Sequence, residues 1–182
     1  MATSLEEILT KSLDENKDDT LLRMLTAFIH IELCGSFLTG KTGPGTTTKN
    51  FYAFSRSKYM PEEYHKIAPL LLSIFRNGIA HCYLPKGGAI PTSERVAADK
   101  HLHFYEQGIC IYVPKLAEDV KTAIKNIFND IRENTISQKS YYSIFEQSDQ
   151  IGKSEYEKFL EENGIQTEKD IWLGDINISL EK

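Results

Sequence analysis

One short segment, Phe75 to Tyr83, brings together side chains that can move protons and stabilise negative charge. Arg76 supplies a guanidinium that stays charged at any physiological pH, and Asn77 supplies an amide. His81 supplies an imidazole with an ordinary pKa near neutrality, which suits general acid or base catalysis. A core helix rarely concentrates so many polar groups. We therefore take this segment as the candidate functional site.

The spacing of these residues constrains how they can act together. On a continuous α-helix with about 100° per residue, Arg76 and His81 are about 140° apart, whereas Asn77 and His81 share a face. One straight helix therefore cannot easily aim Arg76 and His81 at the same atom. A bend at Gly78 would help, and so would a two-fold pairing in which each chain completes the site of the other. We expect a homodimer formed through this helix, with Ile79 as a candidate interface position.

The pattern Arg76-Asn77-x-x-x-His81 resembles the Arg, polar residue, spacer, His motif of HEPN domains, and Tyr83 extends it to the form seen in HEPN toxins. The resemblance covers roughly residues 5–135. It implies a mainly α fold, namely a HEPN-like helical bundle with a small β-hairpin insertion. It also implies metal-independent endoribonuclease activity, without a cofactor, by a toxin or defence effector.

The resemblance also assigns roles to the residues of the motif. His81 would transfer protons, Arg76 would stabilise the charge on the phosphorane, and Asn77 would orient Arg76 or the phosphate. Tyr83 would bind RNA, or would be the hydroxyl that a partner nucleotidyltransferase antitoxin modifies. The alternative is a non-catalytic HEPN-like interaction or regulatory module in which Arg76 and His81 make only structural hydrogen bonds.

Charge is distributed unevenly along the chain. The net charge is −5 overall, which argues against a generic nucleic-acid-binding protein. Residues 49–103, however, carry eight basic side chains against four acidic ones. A polyanion such as RNA would be drawn to this stretch. We name Lys58, Lys86 and Arg95 as candidate phosphate contacts, the alternative being chance clustering on a solvated surface.

Two further patterns have weaker chemical interpretations. Gly35 to Thr42 matches the letters of a phosphate-binding loop, but a predicted helix precedes it and no helix is predicted to follow it. ATP would stabilise the protein if this loop bound nucleotides. His101 and His103 would share one strand face, but no third metal ligand accompanies them. We therefore expect neither nucleotide hydrolysis nor a metal site.

The remaining composition indicates a cytoplasmic globular protein. Three widely spaced cysteines without a CxxC pair suit reduced thiols better than a disulfide scaffold. The first residues lack the pattern of a signal peptide. The apolar stretch 21–38 is interrupted by Arg23, His30 and Glu32, so it predicts a buried helix and not a membrane span.

Apolar periodicity predicts helices over 4–14, 20–39 and 116–133, with shorter ones over 138–148 and 154–163. It also predicts a third helix that begins at about residue 61 and ends either near residue 77 or at residue 83. Pro69 predicts a kink or a restart in the third helix, and Asn77-Gly78 is a candidate C-cap. Residues 40–50 are expected to form a mobile loop. The segments 101–106 and 109–113 predict a hairpin, and 171–180 is strand-like. We expect one domain, with 1–135 as the bundle including hairpin 101–113, and 136–182 as a helical appendage packed on it.

Overall fold

The computed structural model describes residues 2–82 and 88–162, including the side chains of residues 5–79, 88 and 90–162. The fold is mainly helical with a small sheet, as the sequence predicts. The elements in chain order are α1 (Ala2–Glu15), α2 (Thr20–Thr39), α3 (Thr47–Ser55), α4 (Glu62–Leu70), a π-helical segment (Leu71–Arg76), α5 (Asn77–Cys82), β1 (Ala89–Thr92), a 3₁₀ helix (Arg95–Lys100), β2 (Phe104–Tyr105), β3 (Gly108–Tyr112), α6 (Val113–Arg132) and α7 (Gln138–Glu162).

Helix α2 is the centre of the core and contacts α1, α3, α6 and α7. It begins where Asp19 accepts a hydrogen bond from the Leu22 amide, and it ends at Gly40, whose φ of 65° suits glycine. Phe28 lies in edge-to-face contact with Phe51, with ring centres 5.9 Å apart. Aromatic contacts of this kind stabilise the packing of α2 against its neighbours in the apolar core.

Among the described helices, only α2 is long and apolar enough to cross a membrane by length and composition. Half of its apolar window is buried inside the protein. The core helix of a soluble protein satisfies the same criterion, so the finding is weak as an indication of a membrane span.

The predicted loop over 40–50 is shorter than expected, because α3 begins at Thr47. Gly35 explains how α3 reaches α2: a Cβ at Gly35 would lie 1.9 Å from the carbonyl oxygen of Asn50. Only a glycine permits this approach, and α2 makes its most extensive helix contact with α3. The first glycine of the phosphate-loop pattern is therefore a packing residue inside a helix.

The helical stretch from α4 to α5 is irregular, as Pro69 predicts. The sequence did not indicate that the irregularity would be a π-helical segment. Pro69 has no N–H to donate to the carbonyl group four residues earlier, and the hydrogen bonding changes to the π pattern from Leu71. At the end of the π segment, the Asn77 N–H donates to the Leu72 carbonyl oxygen, five residues back. The C-cap at Asn77-Gly78 is wrong, since α5 continues to Cys82.

The sheet is larger than the predicted hairpin. Strands β2 and β3 pair antiparallel, with Tyr105 opposite Gly108, so the turn falls one residue earlier than expected. Strand β1, which the sequence analysis does not predict, pairs parallel to β3 and gives the strand order β1-β3-β2. A Cβ at Gly108 would lie 2.1 Å from the Gly88 carbonyl oxygen, so glycine is required where the two strands meet.

The C-terminal region differs from the two short helices predicted over 138–148 and 154–163. Helix α7 is continuous through Gly152. Its first half packs on the core, where the Tyr141 ring centre lies 5.0 Å from that of Phe37. The strand-like segment 171–180 lies outside the described residues.

Candidate functional site

Arg76 occupies the last position of the π segment, and its guanidinium is held by an acidic partner from α2. Its Nη2 donates to Glu32 Oε2 at 2.7 Å. The two side chains are 20% and 23% exposed, so the ion pair is largely buried but reachable from solvent. A pair in this environment is screened less than one on the surface. The contact fixes the guanidinium against one helix of the core.

The rest of the Arg76 guanidinium is poorly satisfied by the protein. Among the described residues, Nη1 makes only a long contact of 3.5 Å to Asn77 Oδ1. Nε is buried and has no hydrogen-bond partner among the described residues. A buried guanidinium N–H without an acceptor is costly, so it calls for a structural or functional explanation. Because Nε is closed to solvent, the weakly bonded Nη1 is the nitrogen with hydrogen-bonding capacity that an anion could use.

Arg76 also lines an open groove of about 480 Å³ between α2 and the chain leading into α3. Its lining residues are Ile29, Glu32, Leu33, Ser36, Thr42, Gly43, Pro44, Thr46, Thr47, Asn50 and Arg76. This volume is within the range of roughly 300–1,000 Å³ that ligand sites occupy. We call this depression the Arg76 groove, because Arg76 is the residue of the motif that lines it.

Glu32 was not identified as a functional candidate from the sequence. The available signal was its charge within the apolar run of α2, where an unpaired carboxylate would be unfavourable. That signal indicates a partner but does not name it, because Glu32 and Arg76 are 44 positions apart. The structure identifies the partner.

We expect Glu32→Ala to release the Arg76 guanidinium. In ¹⁵N–¹H spectra, the side-chain Nε–H signal of Arg76 should broaden or exchange faster, because the group loses its short ion pair. Glu32→Gln should retain part of the order through its amide oxygen. Glu63→Ala, which removes an exposed glutamate from α4, is the matched control. An unchanged Arg76 signal in Glu32→Ala would contradict this assignment.

Of the other residues of the motif, Asn77 is described with its side chain and His81 by its backbone. His81 lies in α5. Regular α-helical rotation of about 100° per residue would place Arg76 and His81 about 140° apart. The side chain of His81, together with Tyr83 and Lys86, is outside the described residues. The expectation that Ile79 faces a partner is wrong. Ile79 is 2% exposed in the single chain and belongs to its core.

The two candidate phosphate contacts that the structure describes, Lys58 and Arg95, are not among the residues that line the Arg76 groove. Lys58 donates to Asp130 Oδ2 at 2.6 Å, and Tyr59 donates to the same oxygen at 2.6 Å. These hydrogen bonds lower the pKa of Asp130. Arg95 is exposed at the start of the 3₁₀ helix. Two residues earlier, the Ser93 hydroxyl accepts a hydrogen bond from Thr20, the first residue of α2. Glu32 lies roughly 18 Å along the axis of α2 from Thr20, the first residue of that helix, at a rise of 1.5 Å per residue.

His101 and His103 have separate environments. His101 Nδ1 accepts from the Tyr112 N–H at 3.1 Å, so the ring proton is on Nε2 and is donated to Tyr64 Oη at 2.7 Å. Tyr64 in turn donates to Asp119 Oδ2 at 2.8 Å. His103 is exposed, with its ring 4.8 Å from that of Tyr105. No group of three metal-ligating side chains occurs in the described part of the chain.

The His101 hydrogen bonds predict a dependence of stability on pH. Burial lowers the pKa of His101 to about 4, below its ordinary 6.5. Between these values the unfolded chain binds more protons than the folded one, so stability falls as the pH decreases. The His101 contribution should be about 1 kcal/mol after allowing for solvent screening. Urea unfolding at pH 7 and pH 4.5 should show a smaller loss for His101→Gln than for wild type. An equal loss would exclude His101 as a contributor.

Comparison with known proteins identifies no relative: no protein-family model, curated protein or solved structure matches the chain.

Proposed function

We propose that this protein is a metal-independent endoribonuclease of HEPN type that acts in the cytoplasm as a homodimer. The observation that carries the proposal is the state of Arg76. Its guanidinium is mostly buried, lines an open groove and keeps an Nε–H without an acceptor among the described residues. The π segment that ends at Arg76 supports the proposal, because π-helical turns are frequent at functional sites.

The proposed reaction is a transesterification within RNA. The ribose 2′-oxygen attacks the adjacent phosphorus while the P–O5′ bond breaks, which gives a 2′,3′-cyclic phosphate and a free 5′-hydroxyl. His81 accepts the 2′ proton or delivers a proton to the 5′-oxygen. Arg76 stabilises the extra negative charge of the phosphorane, and Asn77 orients Arg76 or the phosphate.

The test of this function is cleavage of RNA by the purified chain. We expect cutting to persist in EDTA, because the proposed chemistry uses only side chains. Products should end in 2′,3′-cyclic phosphate, and a substrate with 2′-deoxyribose at the scissile position should resist. Failure to cut any RNA in total cellular extract would contradict the proposal.

The dimer part of the proposal has a test of its own. If Arg76 of one chain works with His81 of the other, mixing Arg76→Ala and His81→Ala chains should recover about one quarter of wild-type activity, because half of the dimers then hold one intact site. A site formed within one chain recovers nothing. Light scattering should show a dimer. The exposed Ser73, and not the buried Ile79, is the position for a disruptive charge.

A toxin or defence role is part of this proposal. A nucleotidyltransferase gene beside this one would support a paired antitoxin, with Tyr83 as the modified hydroxyl or an RNA contact. Lys58, Lys86 and Arg95 remain candidate phosphate contacts. Replacing all three should flatten the dependence of RNA affinity on salt concentration, because fewer counterions are released.

A non-catalytic interaction or regulatory module of the same fold is the second candidate. The ion pair between Arg76 and Glu32 favours it, because a structural arginine would be held in the same way. Such a protein would cleave no RNA, either as the wild type or as any of the variants. It would also bind a partner on its acidic C-terminal region.

A further inference from the structure

We propose that the Arg76 groove holds one nucleotide of the RNA strand beside the scissile phosphate. The proposal rests on the proposed function for the identity of its ligand. The groove is formed within a single chain, between α2 and residues 42–50, so it does not require the second protomer.

The lining of the groove offers a binding partner for each of the three parts of a nucleotide, namely the phosphate, the base and the ribose. Arg76 supplies positive charge on its partly exposed guanidinium, and its weakly bonded Nη1 can donate to a phosphate oxygen. Ile29, which is 49% exposed, and Leu33 supply an apolar surface on which a base can lie. The Glu32 carboxylate can accept a hydrogen bond from a ribose hydroxyl. A simple anion would use only the first of these groups.

Two other polar side chains in the groove, Ser36 and Asn50, are already hydrogen-bonded within the protein. The Asn50 amide donates to the carbonyl oxygen of Lys41 at 3.0 Å, and its oxygen accepts from the Thr39 hydroxyl at 2.6 Å. The Ser36 hydroxyl donates to the Leu33 carbonyl oxygen at 2.6 Å. These bonds fix the floor of the groove. Selectivity for a nucleotide therefore depends on Arg76, Glu32 and the apolar wall.

Thr47 and Thr48 offer a matched pair of substitutions. Thr47 lines the groove, whereas Thr48 is exposed and is not among the lining residues. Thr47→Trp should fill the groove and Thr48→Trp should not. The probes are adenosine 3′-monophosphate, adenosine and inorganic phosphate, titrated into the full chain and followed by ¹⁵N–¹H spectra. Melting temperatures establish that each variant is folded.

We expect adenosine 3′-monophosphate to shift signals of the groove residues and to bind more tightly than phosphate or adenosine alone. Thr47→Trp should weaken its binding at least about tenfold, while Thr48→Trp leaves it within about twofold. If Thr47→Trp fails to fold, Ile29→Glu replaces it, because a second carboxylate in the groove should repel the nucleotide by a similar factor.

Equal binding of phosphate and nucleotide would overturn the proposal, as would shifts elsewhere or unchanged affinity in a folded groove variant. These results are separable from the nuclease test. A wild-type protein that cuts RNA without nucleotide binding in the groove refutes this inference alone. A protein that binds the nucleotide there but cuts nothing refutes the proposed activity and leaves the binding site intact.

Discussion

His81→Ala is expected to lower the rate of RNA cleavage by at least about 10²-fold, which is the usual contribution of a general acid or base. Arg76→Ala should cause a comparable loss, because the developing charge on the phosphorane loses its compensating guanidinium. The measurement is single-turnover cleavage of an end-labelled RNA by the purified variants in EDTA.

His103→Ala is the matched control for these variants, since it removes an exposed imidazole that lies outside the motif. It should cut at the wild-type rate. Melting temperatures must accompany all rates, because Arg76 also forms an ion pair with the core helix. Cleavage by a folded His81→Ala protein at the wild-type rate would leave the non-catalytic module as the better interpretation.

Gly35→Ala should be among the most destabilising single changes in the chain. The added methyl group would lie 1.9 Å from the Asn50 carbonyl oxygen, which belongs to backbone and cannot rotate away. Helices α2 and α3 must then separate, and overpacking of this kind costs up to about 3 kcal/mol. Denaturant unfolding followed by circular dichroism measures the change in the free energy of unfolding.

Gly152→Ala is the control for this substitution, since it makes the same change in the middle of another helix. A Cβ at Gly152 meets nothing within 4 Å. It should therefore raise stability by roughly 0.5–1 kcal/mol through helix propensity alone. If Gly35→Ala is as well tolerated as Gly152→Ala, the close approach of α2 and α3 is not required for folding.

The parts of the fold that the sequence predicted correctly are those with strong local signals. Helices α2 and α6 have broad apolar faces repeated over several turns, and Asp19, a residue type that favours the N-cap position, directly precedes α2. Pro69 marked an irregular position because the missing N–H is a property of the residue itself. In these cases the signal lies within the segment that forms the element.

The missed features depend on partners distant in sequence. Strand β1 contains Pro91 and follows Gly88, so it reads as a loop until β3 supplies its hydrogen bonds. Helix α3 shows only Phe51 and Phe54 as apolar anchors after a run rich in glycine and threonine. The same limit applied to the candidate site, where the motif was visible locally but its partner Glu32 was not.

The π-helical segment before Arg76 has a consequence for insertions and deletions in this gene. A π turn closes its hydrogen bonds over one more residue than an α turn, so substitutions alone cannot convert Leu71–Arg76 to α-helix between fixed ends. Deleting one residue before Arg76 in this segment would let a regular α-helix join the same two ends, so Arg76 and α5 would keep their orientation relative to α4. The guanidinium would then stay beside Glu32. This segment therefore tolerates the loss of one residue, whereas the identity of its charged residue is constrained by the ion pair.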